Sequence, residues 1–176
     1  MYNDAYDYAK KAAAANPKDT WGHFFVSSTL GNKALLMSTK DQINASKQVK
    51  AAIERALECD PANDLAYHAL GRWHRRMAEI GGAKRFFGGM IYGSIPKGSM
   101  AEAEKAFQKA IELKPGYVNH HIELARTYMA MKKYALAVPE YQATIDLPVS
   151  SSKDKDLKAE AAVEIDVDAL ADGERV

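Results

Sequence analysis

Cysteine is almost missing from this 176-residue chain: Cys59 stands alone, so no internal disulfide framework can hold the fold together. Long apolar runs are missing too. Hydrophobic residues make up 47% of the chain, yet nowhere do about 18 of them follow one another as a membrane-spanning helix requires. Net charge is also scarce. The 24 Lys and Arg and 23 Asp and Glu leave a formal charge of +1. That excludes nucleic acid or any other polyanion captured by overall charge.

The constellations of enzymes are absent as well. There is no HExxH and no cysteine pair. His120 and His121 are neighbours, so on a helix they point to different faces, and His68 and His74 have no ligand spacing; no metal site is expected. His74 instead reads as a ring packed in a core or interface. Cys59 precedes Asp-Pro at a helix end, with no histidine partner that the sequence identifies. The glycines of "GGAKRFFGG" lack the Lys-Ser/Thr of a phosphate-binding loop. We expect no catalysis and no cofactor. The opening residues do not read as a secretory signal; the compartment is left open, with the cytoplasm favoured.

What the chain does contain is repetition. Helix-ending signals recur at "AANPKD", "ECDPAN" and "ELKPGY", with prolines at 17, 61 and 115. Proline disfavours helix in the residue before it and cannot continue one behind it. The spacings, 44 and 54, are the roughly 34-residue tetratricopeptide period with excesses of about 10 and 20. Upstream of each proline, Ala5, Ala9 and Ala12, then Val49, Ile53 and Ala56, then Ala103, Phe107 and Ala110 repeat a four-three spacing that lines one helix face. A second pattern opens the units. Tyr67, Leu70, Gly71 and His74 are followed by His121, Leu124, Ala125 and Tyr128, then Ala137, Tyr141 and Thr144. His23, Val26, Ser27 and Leu30 match it poorly in the second unit.

The expected fold is therefore all-α: a tetratricopeptide-like right-handed solenoid of antiparallel helix pairs in a single domain spanning 1–176. Its units cover about 2–17, 20–61, 64–115 and 118–148, with insertions in the second and third and a capping helix at about 154–171. The first unit lacks its first helix, which leads us to expect an upstream segment, an anchor or signal included, in a longer natural protein.

Residues 78–99, "AEIGGAKRFFGGMIYGSIPKGS", interrupt the third unit with six glycines and a cluster of large apolar groups. Five such groups in seven positions (Phe86, Phe87, Met90, Ile91, Tyr92) suit an ordered element that buries them, because exposing them invites aggregation. One or two short helices are expected, packed against the second and third units at one mouth of a groove, with Lys84 and Arg85 facing solvent or ligand. The element is either a plug on the repeat stack or a lid on a ligand site that touches lipid.

Charge is uneven along the chain. Arg72, Arg75, Arg76, Lys84, Arg85 and Lys97 face only Glu79 among acids between 72 and 97, while 154–174 holds eight acids against Lys155 and Lys158. In stacked helix pairs the first helices line a concave groove. Its expected lining is Trp21, Phe24 and Ser28; His68, Arg72, Arg75 and Arg76; and Asn119, Ile122, Glu123, Arg126 and Met129. The guanidinium fork suits carboxylate or phosphate. The arginines either meet such a ligand or pair with the chain's own acids, the closing helix among them.

Three stretches carry a family resemblance: "ALGRWHRRMAEI" (69–80), "KRFFGGMIYGSIP" (84–96) and "AEAEKAFQKAIELKPGY" (101–117), with "LPVSSSKDKDLKAEA" (147–161) closing the pattern. Through them nearly the whole chain resembles the regulator of microtubule dynamics proteins. The resemblance implies a tetratricopeptide-like fold and, for function, a link to microtubules, the mitochondrial surface or, in one branch, lipid at organelle contacts. Microtubule association follows only if function transfers with it. The leading reading is a non-catalytic module binding an acidic peptide or protein segment in a basic groove. The alternative is a phospholipid-binding domain whose 84–96 insertion, with Lys84, Arg85, Phe86, Phe87, Met90 and Tyr92, covers an apolar pocket. A structural spacer within a larger protein is the third.

Overall fold

Most helices begin where the sequence supplies an oxygen to cap them. The computed structural model describes residues 2–173, with side chains from 4 to 165. Its elements are α1 (Tyr2–Ala15), α2 (Thr20–Ala34), α3 (Thr39–Cys59), α4 (Asp64–Ala78), α5 (Gly82–Tyr92), α6 (Met100–Leu113), α7 (Val118–Ala130), α8 (Tyr134–Asp146) and α9 (Ser152–Gly173). No strand occurs among the described residues. Asp19, Ser38, Asn63 and Ser99 cap α2, α3, α4 and α6, each accepting from a backbone N–H three residues on. Ser151 and Asp154 cap α9 reciprocally: the Asp154 N–H donates to Ser151 Oγ at 3.3 Å, and the Asp154 carboxylate accepts from the Ser151 N–H at 2.9 Å. Further bonds from Ser150 leave Asp154 buried and hold its carboxyl at a pKa of about 2.

The helices pair as α2 with α3, α4 with α6 and α7 with α8, while α1 packs on α2 and α9 closes the stack against α8 and α7. Ile53, Ala56, Ala103, Phe107 and Ala110 are fully buried, as the four-three spacing requires. Ala5 and Ala12 stay exposed because α1 has only α2 to pack against. All four opening residues of the last unit, His121, Leu124, Ala125 and Tyr128, are buried. Glycine sets the approach at two crossings. A Cβ on Gly71 would lie 2.8 Å from the Phe107 ring, and one on Gly22 would lie 2.9 Å from the Ala13 backbone. A buried polar chain joins the second and third units: Asn63 Nδ2 donates to Thr20 Oγ1 at 2.8 Å, and that hydroxyl donates to the Ala56 carbonyl at 2.9 Å.

The insertion does form a helix, α5, but its apolar side chains do not go inward as expected. Phe86 is 65% exposed, Phe87 63%, Met90 74% and Ile91 71%; Tyr92 is exposed as well. The reason lies in what holds the segment. Gly88 packs against the segment's own Ile95, which a Cβ would meet at 2.8 Å, and Gly98 runs so close to α4 that a Cβ would lie 2.2 Å from the His74 carbonyl. Arg85, expected to face solvent or ligand, instead donates to the carbonyls of Met77 at 2.6 Å and Ile80 at 2.9 Å, and also to that of Pro96. It satisfies carbonyls at the C-terminal end of α4, where a cation is favoured. The chain then leaves α5 through Gly93 at φ +83°, a left-handed turn that glycine takes without strain. Backbone approach and one guanidinium fasten the insertion, so its large side chains are left outside.

Gly71→Ala should lower stability by about 1–3 kcal/mol through overpacking against Phe107. Gly31→Ala, in the interior of α2 with nothing within 4 Å of the new methyl, should be neutral or raise it by up to ~1 kcal/mol. Urea denaturation of the two variants checks this; equal effects would remove the crossing assignment.

Candidate functional site

The first helices of the units, α2, α4 and α7, lie side by side, with α4 touching both neighbours. Asp64, His68, Arg72 and Arg75/Arg76 recur along one face of α4 at spacings that a helix stacks one above another. At the α2 end, Trp21 and Phe25 are exposed and Phe24 half-buried, with Trp21 and Phe24 edge-to-face at 5.9 Å between centroids. Aromatic surface therefore lies at one end and arginine in the middle. Four expected lining residues are buried. Ile122 has no exposed area, and His68, Asn119 and Glu123 keep only a small exposed remnant, because the close approach of α7 to α4 puts them inside the stack.

Two of the four groove arginines are occupied by the chain's own acids. Arg75 forms an ion pair with the buried Glu123 carboxylate and also donates to the Glu123 carbonyl at 3.3 Å. Arg126 donates to Glu160 at 2.7 Å and to Glu164 at 2.6 Å, both on α9. The Tyr141 hydroxyl donates to the other Glu164 oxygen at 2.6 Å. Burial alone would raise the Glu164 pKa, but the bonds from Arg126 and Tyr141 outweigh it and hold it below the usual range. The four acids of the closing segment beyond 165 (Asp166, Asp168, Asp172, Glu174) lie outside the residues whose side chains are described. Arg72 and Arg76 remain exposed and, among the described residues, without a carboxylate partner.

Beneath Arg72 runs a buried chain that sequence reasoning missed. His120 Nε2 lies 3.0 Å from Asp64 Oδ2, and His120 Nδ1 lies 3.0 Å from His68 Nδ1. A carboxylate only accepts, so His120 donates from Nε2 and its bare Nδ1 accepts from His68 Nδ1–H. Burial pushes His120 down to a pKa of about 4 despite the Asp64 bond. Burial pushes His68 well below its usual value too, with the charges of Arg72, Lys153 and Arg75 adding to it. His121 goes the other way: burial opposes its charge, but Glu140 at 2.7 Å and the Pro115 carbonyl at 2.8 Å raise its pKa. The i, i+4 pair Asp64–His68 was visible in sequence, but nothing there shows that α7 slots a histidine between them. Trp73 was also missed as an anchor: it is buried, and its Nε1 donates to the Ser46 carbonyl at 2.8 Å. His74 lies edge-on to that ring at 5.0 Å, half-buried, in agreement with its reading as a packed ring.

Comparison with known proteins gives the same architecture. Residues 1–167 match the family described as Regulator of microtubule dynamics protein 1-3. The chain is 24% identical over 160 residues to Regulator of microtubule dynamics protein 1 of Bos taurus, covering 90% of this chain and 50% of that protein. The Homo sapiens protein of the same name gives 24% over 160 residues, covering 90% and 51%. That of Caenorhabditis elegans gives 24% over 154 residues, covering 88% and 68%. The chain thus spans about half the length of the mammalian relatives. Among solved structures, the crystal structure of MamA superposes with a TM-score of 0.57 at 18% identity, covering 99% of this chain and 90% of that one. No helix among the described residues is long and apolar enough to cross a membrane.

The depressed histidines make stability depend on pH. His120 is neutral when folded down to about pH 4, whereas an unfolded histidine takes up its proton near pH 6.5. Its contribution is complete above about 6.5 and is lost as pH falls toward 4, amounting to about 3 kcal/mol at the end of that range. His68 acts in the same direction. His121, raised, gains its stabilising proton above pH 6.5 and holds it constant below, so it leaves the slope between 6.5 and 4 unchanged. Urea midpoints should fall between pH 6.5 and 4, and His120→Gln should flatten the slope; an unchanged slope would show that His120 is not buried as a neutral ring.

Proposed function

The chain belongs to the regulator of microtubule dynamics protein family, and on that premise we propose that it is a non-catalytic interaction module for an acidic segment of a protein partner. The tetratricopeptide-like fold supports a protein as partner. One observation carries the rest: Arg72 and Arg76 stand exposed on α4 and have no carboxylate partner among the described residues. Arg126 shows the kind of contact such a partner would make, because it already holds two glutamates of α9 in salt bridges. The aromatic group of Trp21, Phe24 and Phe25 offers apolar area beside the charges, and aromatic and arginine side chains together are what binding surfaces are enriched in. The names of the relatives connect them with microtubule dynamics; for this chain an acidic partner in the groove is the form that such a link would take.

A second reading rests on α5. Its outward Phe86, Phe87, Met90 and Ile91, with Lys84 and Lys97 exposed nearby, fit phospholipid better than they fit the groove. They face away from the stack rather than over a pocket, so the lipid would be met at a surface.

The test is binding of a fluorescein-labelled hexaglutamate peptide. Arg72→Glu/Arg76→Glu should weaken it by roughly tenfold or more with helix content unchanged, and wild-type affinity should fall with added salt as exposed charges are screened. Arg126→Glu should instead loosen α9 and lower the melting temperature, since it places a third carboxylate against Glu160 and Glu164. Binding that survives the double reversal and ignores salt would remove the groove reading. Sedimentation with phosphatidylserine vesicles, lost in Phe86→Ser/Phe87→Ser, would favour the second.

A further inference from the structure

We propose that His68 is a proton-linked anchor within the groove: a carboxylate of the acidic partner binds at its Nε2 beside Arg72, and the imidazole takes up one proton from solvent as it does so. The inference rests on the groove reading above and specifies how that site is regulated.

The argument starts from the hydrogen-bond chain. Asp64 and His68 lie one turn apart on α4, and His120 of α7 bridges them with two contacts of 3.0 Å. The acceptor-only carboxylate fixes each proton in turn, Nε2–H on His120 and Nδ1–H on His68. A neutral His68 therefore ends the chain with a bare lone pair at Nε2. Among the described residues that atom has no hydrogen-bond partner, and unlike His74 Nδ1 it is not completely sealed. His68 Nε2 is thus an open acceptor at the edge of a ring that is only 8% exposed.

The surroundings are one-sided in charge. The charges of Arg72 and Arg75 on α4 and of Lys153 on α9 act on the ring, and His120 of α7 bonds to it. Behind His120 stand His121 and, from the α6–α7 connection, Lys114. The acids are Asp64, whose carboxylate is engaged with His120, and Glu123, engaged with Arg75. From α6 comes the Phe107 ring, edge-on at 5.6 Å and uncharged. An open acceptor among cations repels a proton when the groove is empty. A bound carboxylate reverses this: it offsets Arg72 and Lys153 and supplies an acceptor for a second N–H. His68, now protonated, donates Nδ1–H to His120 and Nε2–H to the ligand, while Asp64 at the far end of the chain balances the added charge. An acidic segment would accordingly be held more tightly as pH falls toward 6, a range in which its own glutamates stay ionised.

Two measurements with the hexaglutamate peptide at constant ionic strength test this. Anisotropy titrations from pH 8 to 5.5 should show Kd falling with pH, by up to about tenfold per unit where one proton is taken up. Calorimetry of wild-type protein in two buffers of different ionisation enthalpy should show net proton uptake approaching one per peptide, a readout that needs no variant. In folded His68→Gln, binding should persist more weakly with the pH dependence and the uptake gone. Wild-type binding with no uptake and a flat profile would overturn the anchor while leaving the groove standing. Uptake that persists unchanged in His68→Gln would overturn it too, assigning the proton to another histidine. No peptide binding at any pH would remove the groove reading, and the anchor with it.

Discussion

The distance at which helices cross governs everything else in this protein. Gly71 lets the Phe107 ring lie directly on the backbone of α4, and Gly22 lets α2 approach α1 at Ala13. With α4 seated on α6, the concave faces of α4 and α7 come together closely enough to bury His68, Asn119 and Ile122 between them. The groove is therefore narrower than a list of outward helix positions implies. The histidine chain exists only because that approach leaves no room for water between Asp64, His120 and His68. A methyl group at position 71 would push these elements apart and unmake the chain along with the crossing.

The chain neutralises its own basic surface selectively. Arg75 on α4 and Arg126 on α7 are matched by Glu123, Glu160 and Glu164. Arg126 is partly buried, and leaving such a charge unpaired would cost several kcal/mol. Arg72 and Arg76 lie further out, where water solvates them, and need no internal partner. What the groove can offer another molecule is the remainder of this pairing. The closing helix thus does two jobs. Leu157 and Ala161 complete the core, while Glu160 and Glu164 pair with Arg126.

Insertion α5 inverts the usual arrangement of a helix on a globular surface. Gly88 faces the insertion's own Ile95, Gly98 just beyond the helix presses on α4, and the large side chains face out. Glycine permits a close backbone approach that no larger residue would allow, and Arg85 supplies to the α4 carbonyls the bonds that a packed apolar face would otherwise make unnecessary. Large apolar groups left in water add nothing to the stability of the chain, so α5 is held by Arg85 and by backbone approach rather than by its apolar side chains.

The sequence by itself determined the helices, their ends and their pairing. Proline and the capping residues act within one or two turns, and the four-three spacing of small residues around Ile53 and Phe107 is a local property of a helix face. The fold class was legible for that reason, as was the recurrence of Arg72, Arg75 and Arg76 at helical spacing on α4. Only the tertiary structure decided which of those arginines are occupied, that Ile122 and Asn119 are interior, that His120 joins Asp64 to His68, and that the aromatics of α5 point away from the core. Each of these depends on residues 11 to 56 positions apart in the chain, brought together by how closely two helices approach. Local periodicity records which face a residue occupies; it does not record what lies opposite.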